Sequence, residues 1–146
     1  MQTKPRRIGY WATTGLLAAL FLASGVAELA RAPAVLSGMQ SLGYPAYMVT
    51  ILGLWKVLSV PALLLPRLPR LKEWAYAGIF FDLTGAAVSH AVSGDPPAKI
   101  ATPLVFLLIG AASWALRPPS RTWATHPAPG KAKEVAPFPE DVPANA

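Results

Sequence analysis

The sequence predicts an all-α protein, a bundle of four transmembrane helices with both termini in the cytoplasm and a disordered C-terminal tail. Three observations predict it. The chain is 53% hydrophobic and only 14% charged over 146 residues, with a mean hydropathy of +0.40, where an ordinary soluble domain carries about 25% charged residues. Four runs are each long enough to cross a hydrocarbon core of about 30 Å at about 1.5 Å per helical residue. Lys and Arg are distributed so unevenly among the intervening loops that one orientation satisfies every loop.

The first span, residues 8–27, has no charge in 20 residues. Reading it as a signal peptide cleaved after Ala30-Arg31-Ala32 conflicts with its length, since an h-region is usually about 7–15 residues. Residues 34–42 follow with Val35, Leu36, Met39 and Leu42 at helical spacing. They read as a short interfacial helix that Gly43-Tyr44-Pro45 turns into the second span. That span, residues 47–65, contains Lys56 alone among charged residues. The third, residues 74–92, contains Asp82 and His90, and the fourth, residues 100–116, contains no charge. Trp11, Tyr47, Trp74 and Trp114 fall near span ends, where amphipathic rings settle at headgroup level. Residues 1–116 thus form the membrane domain. Residues 117–146 carry seven prolines, which remove amide donors and oppose a helical core, and they read as a disordered tail.

Orientation follows from the basic residues, which are retained in the cytoplasm. Lys4, Arg6, Arg7, Arg67, Arg70, Lys72, Arg117, Arg121, Lys131 and Lys133 fall on one side of the four spans, and Arg31 and Lys99 on the other.

The composition also excludes chemistries. With no cysteine there is no disulfide framework, thiolate metal site or cysteine nucleophile. The net charge of +6 lies between apolar runs rather than on a solvated face, so it speaks for a lipid bilayer and against nucleic acid. No Gly-rich phosphate loop or Ser/His/Asp set is present, which predicts no catalytic activity by the chain on its own. Haem between helices wants two axial ligands, and the only histidine besides His90 is His126 in the tail.

What remains are ionisable residues in or beside the spans, where a charge at the bilayer centre costs at least about 2.5–3.5 kcal/mol. Lys56 lies about 13.5 Å from either end of its span and Asp82 about 12 Å from the cytoplasmic end of its own, so the two fall at one depth. Opposite charges at one depth on successive antiparallel helices predict a neutralising pair, either a buried salt bridge that fixes which helices meet or a site that binds or relays something. Gly53, Ser59, Gly78, Gly85 and Ala86 surround the pair at helical spacing, small enough to let backbones approach. Glu28, about 30 Å along the first span, and His90, about 24 Å along the third, both fall near the opposite boundary, where a contact between them is expected.

Together with Phe21-Leu22-Ala23-Ser24-Gly25, Leu42-Gly43-Tyr44-Pro45, Leu52-Gly53-Leu54-Trp55-Lys56, Lys72-Glu73-Trp74-Ala75-Tyr76-Ala77-Gly78, Phe81-Asp82-Leu83-Thr84-Gly85-Ala86 and Ser89-His90, these residues resemble the DoxX-like family of small bacterial membrane proteins. The resemblance spans residues 8–116. One departure is Glu28, where members often carry a lysine. The resemblance implies a four-helix bundle in the bacterial inner membrane and a link to membrane redox complexes, with quinone as the cofactor in view. Two functions stay open: a non-catalytic subunit that supports a quinone-linked redox partner, or a small proton-coupled transporter of lipophilic or cationic compounds. A homodimer suits either, because four short helices enclose little volume.

The charge bias predicts the outcome of topology mapping. Reporters fused after Arg121 or inserted within residues 66–73 should behave as cytoplasmic, and one at Gly94 as exported; a cytoplasmic signal at Gly94 would refute the orientation.

Overall fold

A computed structural model describes residues 4–122 as five α-helices and a closing 3-10 turn: α1 (Lys4–Leu29), α2 (Pro33–Ser41), α3 (Ala46–Leu64), α4 (Pro69–Val92), α5 (Pro97–Ala115) and the turn Pro119–Arg121. Proline sets most of the starts. Pro33, Pro69 and Pro97 stand in first turns, where an amide donor would be unused, and Pro45 precedes α3. The ends of α1, α2 and α4 are set by left-handed residues. Gly43 (φ 83°) and Gly94 (φ 71°) let the next amides reach back, Tyr44 N to Met39 O at 3.0 Å and Asp95 N to His90 O at 3.0 Å. These are Schellman closures, in which glycine avoids the penalty of a side chain. Arg31 closes α1 the same way at φ 52° without that freedom.

Contacts between the helices run in opposite numerical order, so neighbours are antiparallel. Thr14 Oγ1 meets Ser113 Oγ at 2.7 Å, while a Cβ on Gly9 would lie 3.2 Å from Leu116. The core gathers Leu17 and Phe21 of α1, Leu63 of α3, and Tyr76, Ile79 and Leu83 of α4, with Phe106, Leu107 and Ile109 of α5 packed on it. The outside is also apolar. Trp74 is 75% exposed, Phe81 71% and Leu108 69%, a surface suited to hydrocarbon rather than water.

Three helices, α1, α3 and α5, are long and apolar enough to cross a membrane. The expected third span, residues 74–92, falls on α4, whose 24 residues are not among those three. Its helix begins earlier than the apolar run and takes in Arg70, Lys72, Glu73, Asp82 and His90, which lowers its apolar character. The short helix expected over residues 34–42 is α2.

The boundary of the tail needs correction. Arg117 and Arg121, expected in the disordered segment, pack back onto the bundle. Arg117 is 5% exposed, donates from Nη1 to Glu73 Oε1 at 2.7 Å, and lies over the rings of Tyr76 and Trp114. Arg121 donates to Leu64 O at 3.1 Å and lies over Trp11 and Tyr10. The reason is that the last carbonyls of a helix lack intrahelical donors, which cations supply. Proline content marked the chain as unable to build a core, but a few residues can still cap an existing one. The rest of the expected tail, residues 123–146 with His126, lies outside the described residues.

The glycines divide sharply. A Cβ on Gly53 would meet Glu28 Cβ and Gly25 O, each at 2.9 Å, whereas one on Gly78 meets nothing within 4 Å. Gly53→Ala should therefore destabilise the bundle by about 1–3 kcal/mol through overpacking. Gly78→Ala should be neutral or stabilising by up to about 1 kcal/mol through helix propensity. Thermal unfolding in detergent checks both; equal effects would mean that α1 and α3 do not cross at Gly53.

Candidate functional site

The site begins with that crossing. Gly25 of α1 and Gly53 of α3 face each other so closely that a Cβ on Gly25 would lie 3.0 Å from Lys56 Cβ and 3.1 Å from Gly53 O. In lipid, where apolar surface alone gives no reason to associate, such small residues let two backbones touch. Glu28 lies against Gly53 and Lys56 against Gly25, so each long side chain starts beside the other helix's glycine and the two meet across the crossing. Lys56 Nζ donates to Glu28 Oε1 at 2.5 Å and lies 3.6 Å from Asp82 Oδ2.

The expected Lys56 and Asp82 pair is therefore present, but as one arm of a trio. Lys56 bridges two carboxylates, with side-chain exposures of 16% for Lys56, 12% for Glu28 and 18% for Asp82. The second oxygen of Glu28, Oε2, is buried and meets no hydrogen-bond donor among the described residues.

The expected contact between Glu28 and His90 is not formed. Helical rise along α1 put Glu28 at the bilayer boundary, but its Cβ faces Gly53, seven residues or about 10 Å into α3. His90 instead places Nδ1 2.7 Å from Asp95 Oδ2, and Lys99 donates to Asp95 Oδ1 at 2.8 Å. The closure at Gly94 folds Asp95 back over the end of α4 and so supplies this partner locally. Lys99 first, then His90, hold the Asp95 carboxyl below its ordinary value. Sequence reasoning missed Asp95. Its signals were a glycine one residue earlier, at the left-handed position, and a lysine four residues later.

Two cavities meet at Lys56 and Asp82. A groove of about 450 Å³ between α3 and α4 is lined by Leu52, Trp55, Trp74, Gly78 and Phe81, with Lys56 and Asp82 as its only charged lining among the described residues. A second cavity of about 400 Å³ lies between α1, α4 and α5, lined by Ser24, Ala86, His90, Lys99 and Thr102 as well as by Lys56 and Asp82. An ammonium with three donors, one of them given to Glu28, retains hydrogen-bonding capacity for a ligand in either space. Chemically, the trio can polarise a carbonyl, hold a cation or hold a proton.

Two further buried polar groupings lie toward the other end of the bundle. Ser113 Oγ joins Thr14 Oγ1 and Tyr76 Oη, each at 2.7 Å, tying α1, α4 and α5 together. Lys72, expected in a solvated loop, is 1% exposed and donates to Ala62 O at 2.7 Å and Leu63 O at 2.6 Å. It caps α3 from the first turn of α4, a role whose sequence signal is only its place shortly after a helix end.

The trio alters what charge substitutions should do. Lys56→Met leaves two carboxylates facing each other without their cation and should cost about 3–5 kcal/mol. Adding Asp82→Asn still leaves Glu28, so rescue should be partial and become complete only when Glu28→Gln is added too. Asp82→Asn alone leaves the Glu28 and Lys56 pair intact and should be mild. Unfolding midpoints of the five proteins, parent included, test this. Full rescue by the double substitution would remove Glu28 from the trio.

The sequence profile of the DoxX-like family matches residues 12–113, a stretch that includes Glu28, Lys56, Asp82 and His90. No curated protein and no solved structure matches the chain. That match covers most of a helical chain with an apolar exterior, and the chain belongs to the DoxX-like family.

Proposed function

We propose that this chain is a four-span protein of the bacterial inner membrane with both termini in the cytoplasm. In this reading it is a non-catalytic subunit that holds a lipophilic carbonyl compound of the quinone type for a membrane redox partner. The length of α4 and its antiparallel place between α3 and α5 support the fourth span, and the basic residues near the starts of α1 and α4 and the end of α5 support the orientation.

The groove between α3 and α4 is the single observation that carries the ligand. It is apolar, large enough for a substituted ring, open at the lipid-facing side through Trp55, Trp74 and Phe81, and charged only at Lys56 and Asp82. A quinone ring stacked among those aromatics would place a carbonyl oxygen within reach of the Lys56 ammonium. A hydrogen bond to a charged donor contributes about 1.5–3 kcal/mol.

Because Trp55 and Trp74 line the groove, a short-chain quinone should quench their fluorescence saturably in nanodiscs. Gly78→Leu, which fills the groove from an unobstructed position, should weaken binding by about tenfold or more, the equivalent of ~1.4 kcal/mol. Quenching that never saturates, or that is unchanged by Gly78→Leu, would refute the groove as the ligand site.

A small proton-coupled transporter is the second reading. The observation in its favour is that the same Lys56 and Asp82 line both the groove and the second cavity, as a residue exposed alternately to two spaces would. Vesicle accumulation of a lipophilic cation, dependent on a pH gradient, would select it over the subunit.

A further inference from the structure

The trio is charged unevenly. Two carboxylates share one ammonium, so with all three groups ionised the site carries an excess negative charge beneath an apolar surface. An isolated charge in such surroundings is removed by binding a counter-charge or by changing protonation. Among the described residues no second cation pairs with either carboxylate. Arg31 is turned to Ala46 O at 3.4 Å and Lys99 is engaged with Asp95. Oε2 of Glu28 is buried without a donor, as an oxygen carrying its own proton or meeting a small cation would be.

We propose that Glu28, Lys56 and Asp82 form a one-proton site, in which the two carboxylates share a single proton that exchanges with water through the cavity between α1, α4 and α5. The step is a simple transfer: a carboxylate oxygen takes a proton from hydronium, an O–H bond forms, and water is left behind. The trio becomes neutral on loading and regains its negative charge on release.

The route follows from the linings. The groove between α3 and α4 presents aromatics and aliphatics at its mouth, whereas the second cavity carries Ser24, Thr102, His90 and Lys99 between the trio and the α4–α5 turn. A roomy cavity with several polar groups admits water; an apolar one stays dry. The titratable and charged groups facing the site are Glu28 from α1, Lys56 from α3, Asp82 and His90 from α4, Lys99 from α5, and Asp95 from the turn. His90 and Lys99, each bound to Asp95, line the end of the cavity toward that turn, where a proton first arrives. This inference is independent of any ligand in the groove. Nor does the site depend on the proposed topology, since labelling in nanodiscs carries no sidedness, so either can fail alone.

Carbodiimides react with protonated carboxyls, which gives a direct test on the full chain in nanodiscs. At neutral pH a lipophilic carbodiimide should attach once per chain, divided between Glu28 and Asp82, and labelling should fall as pH rises. Asp82→Asn and Glu28→Gln should each abolish labelling of the carboxylate that remains, because a neutral pair with Lys56 needs no proton. Ala86→Phe, which narrows the second cavity, should slow a water-soluble carbodiimide by about tenfold and leave the lipophilic reagent unaffected. Absence of label at both residues in the parent protein, or two adducts per chain, would overturn the one-proton site, and this reading needs no variant to fold. Unchanged labelling of Glu28 in Asp82→Asn would overturn the sharing. Suppression by sodium or potassium at constant pH would overturn the proton in favour of a metal cation, and equal slowing of both reagents by Ala86→Phe would overturn the route.

Discussion

The close approach of Gly25 to Gly53 is the constraint on which the rest of the site depends. A Cβ on either residue would come within about 3 Å of the opposing helix, so no other residue type permits this crossing without a shift of backbone. In water, helices pair because pairing hides apolar surface. Lipid already solvates that surface, and the attraction must come from backbone contact and polar bonds. Here the two act in sequence. The glycines bring α1 and α3 together, and their contact carries Glu28 inward to a level where its only stable condition is beside Lys56.

That position changes the role of Lys56. Between Lys56 and Asp82 alone, attraction would neutralise both charges, and the residues would serve only to choose helix partners. A second carboxylate makes the site one charge too negative. The excess is small in number but large in energy, because an ion loses several kcal/mol of solvation on burial and recovers it only from a well-placed counter-ion. Lys56 cannot fully satisfy two anions, and its contacts are unequal: a short bond to Glu28 and a looser 3.6 Å approach to Asp82. Asp82 is thereby left as the less tightly held member, and it is the one that, with Lys56, lines both cavities. A site with one strong and one weak arm has a member free to respond to a ligand or a proton.

Much of this was legible in the sequence, and each failure has its own physical cause. The helices were legible because apolar runs bounded by Pro and Gly leave little alternative, and even α2 could be read from the spacing of Val35, Leu36 and Met39. The meeting of Lys56 with Asp82 was legible because both lie near mid-span, where errors in tilt matter least. Glu28 was misplaced because rise along a helix gives depth only if the helices stand parallel. At a helix end, the lever arm of a crossing is greatest, and the error reached about two turns. His90 was misassigned because its true partner, Asp95, is five residues away around a glycine turn, and span arithmetic takes no account of a loop folding back. Arg117 and Arg121 were lost to a compositional boundary, since proline content reports what a segment cannot build rather than what it can cover.

The cations at the other end of the bundle bear on how far charge counting can be trusted. Lys72, Arg117 and Arg121 enter the sum that orients the chain, yet the structure uses them to cap carbonyls, to pair with Glu73 and to cover aromatic rings. A cation at a helix C-terminus is favoured by the helix dipole in either orientation. Those three residues therefore have a reason to be basic that owes nothing to membrane insertion. Removing them leaves Lys4, Arg6, Arg7, Arg67 and Arg70 on that side among the described residues, against Arg31 and Lys99 on the other. Lys99 too has a local reason, its bond to Asp95, and Arg31 holds a carbonyl of α3. Arg6 too holds a carbonyl, Ala115 O of α5 at 3.3 Å; with such cations set aside, the remainder still gathers beside the starts of α1 and α4. It is the one-sided placement of Lys4, Arg7 and Arg67, rather than the raw total, that argues for the proposed orientation.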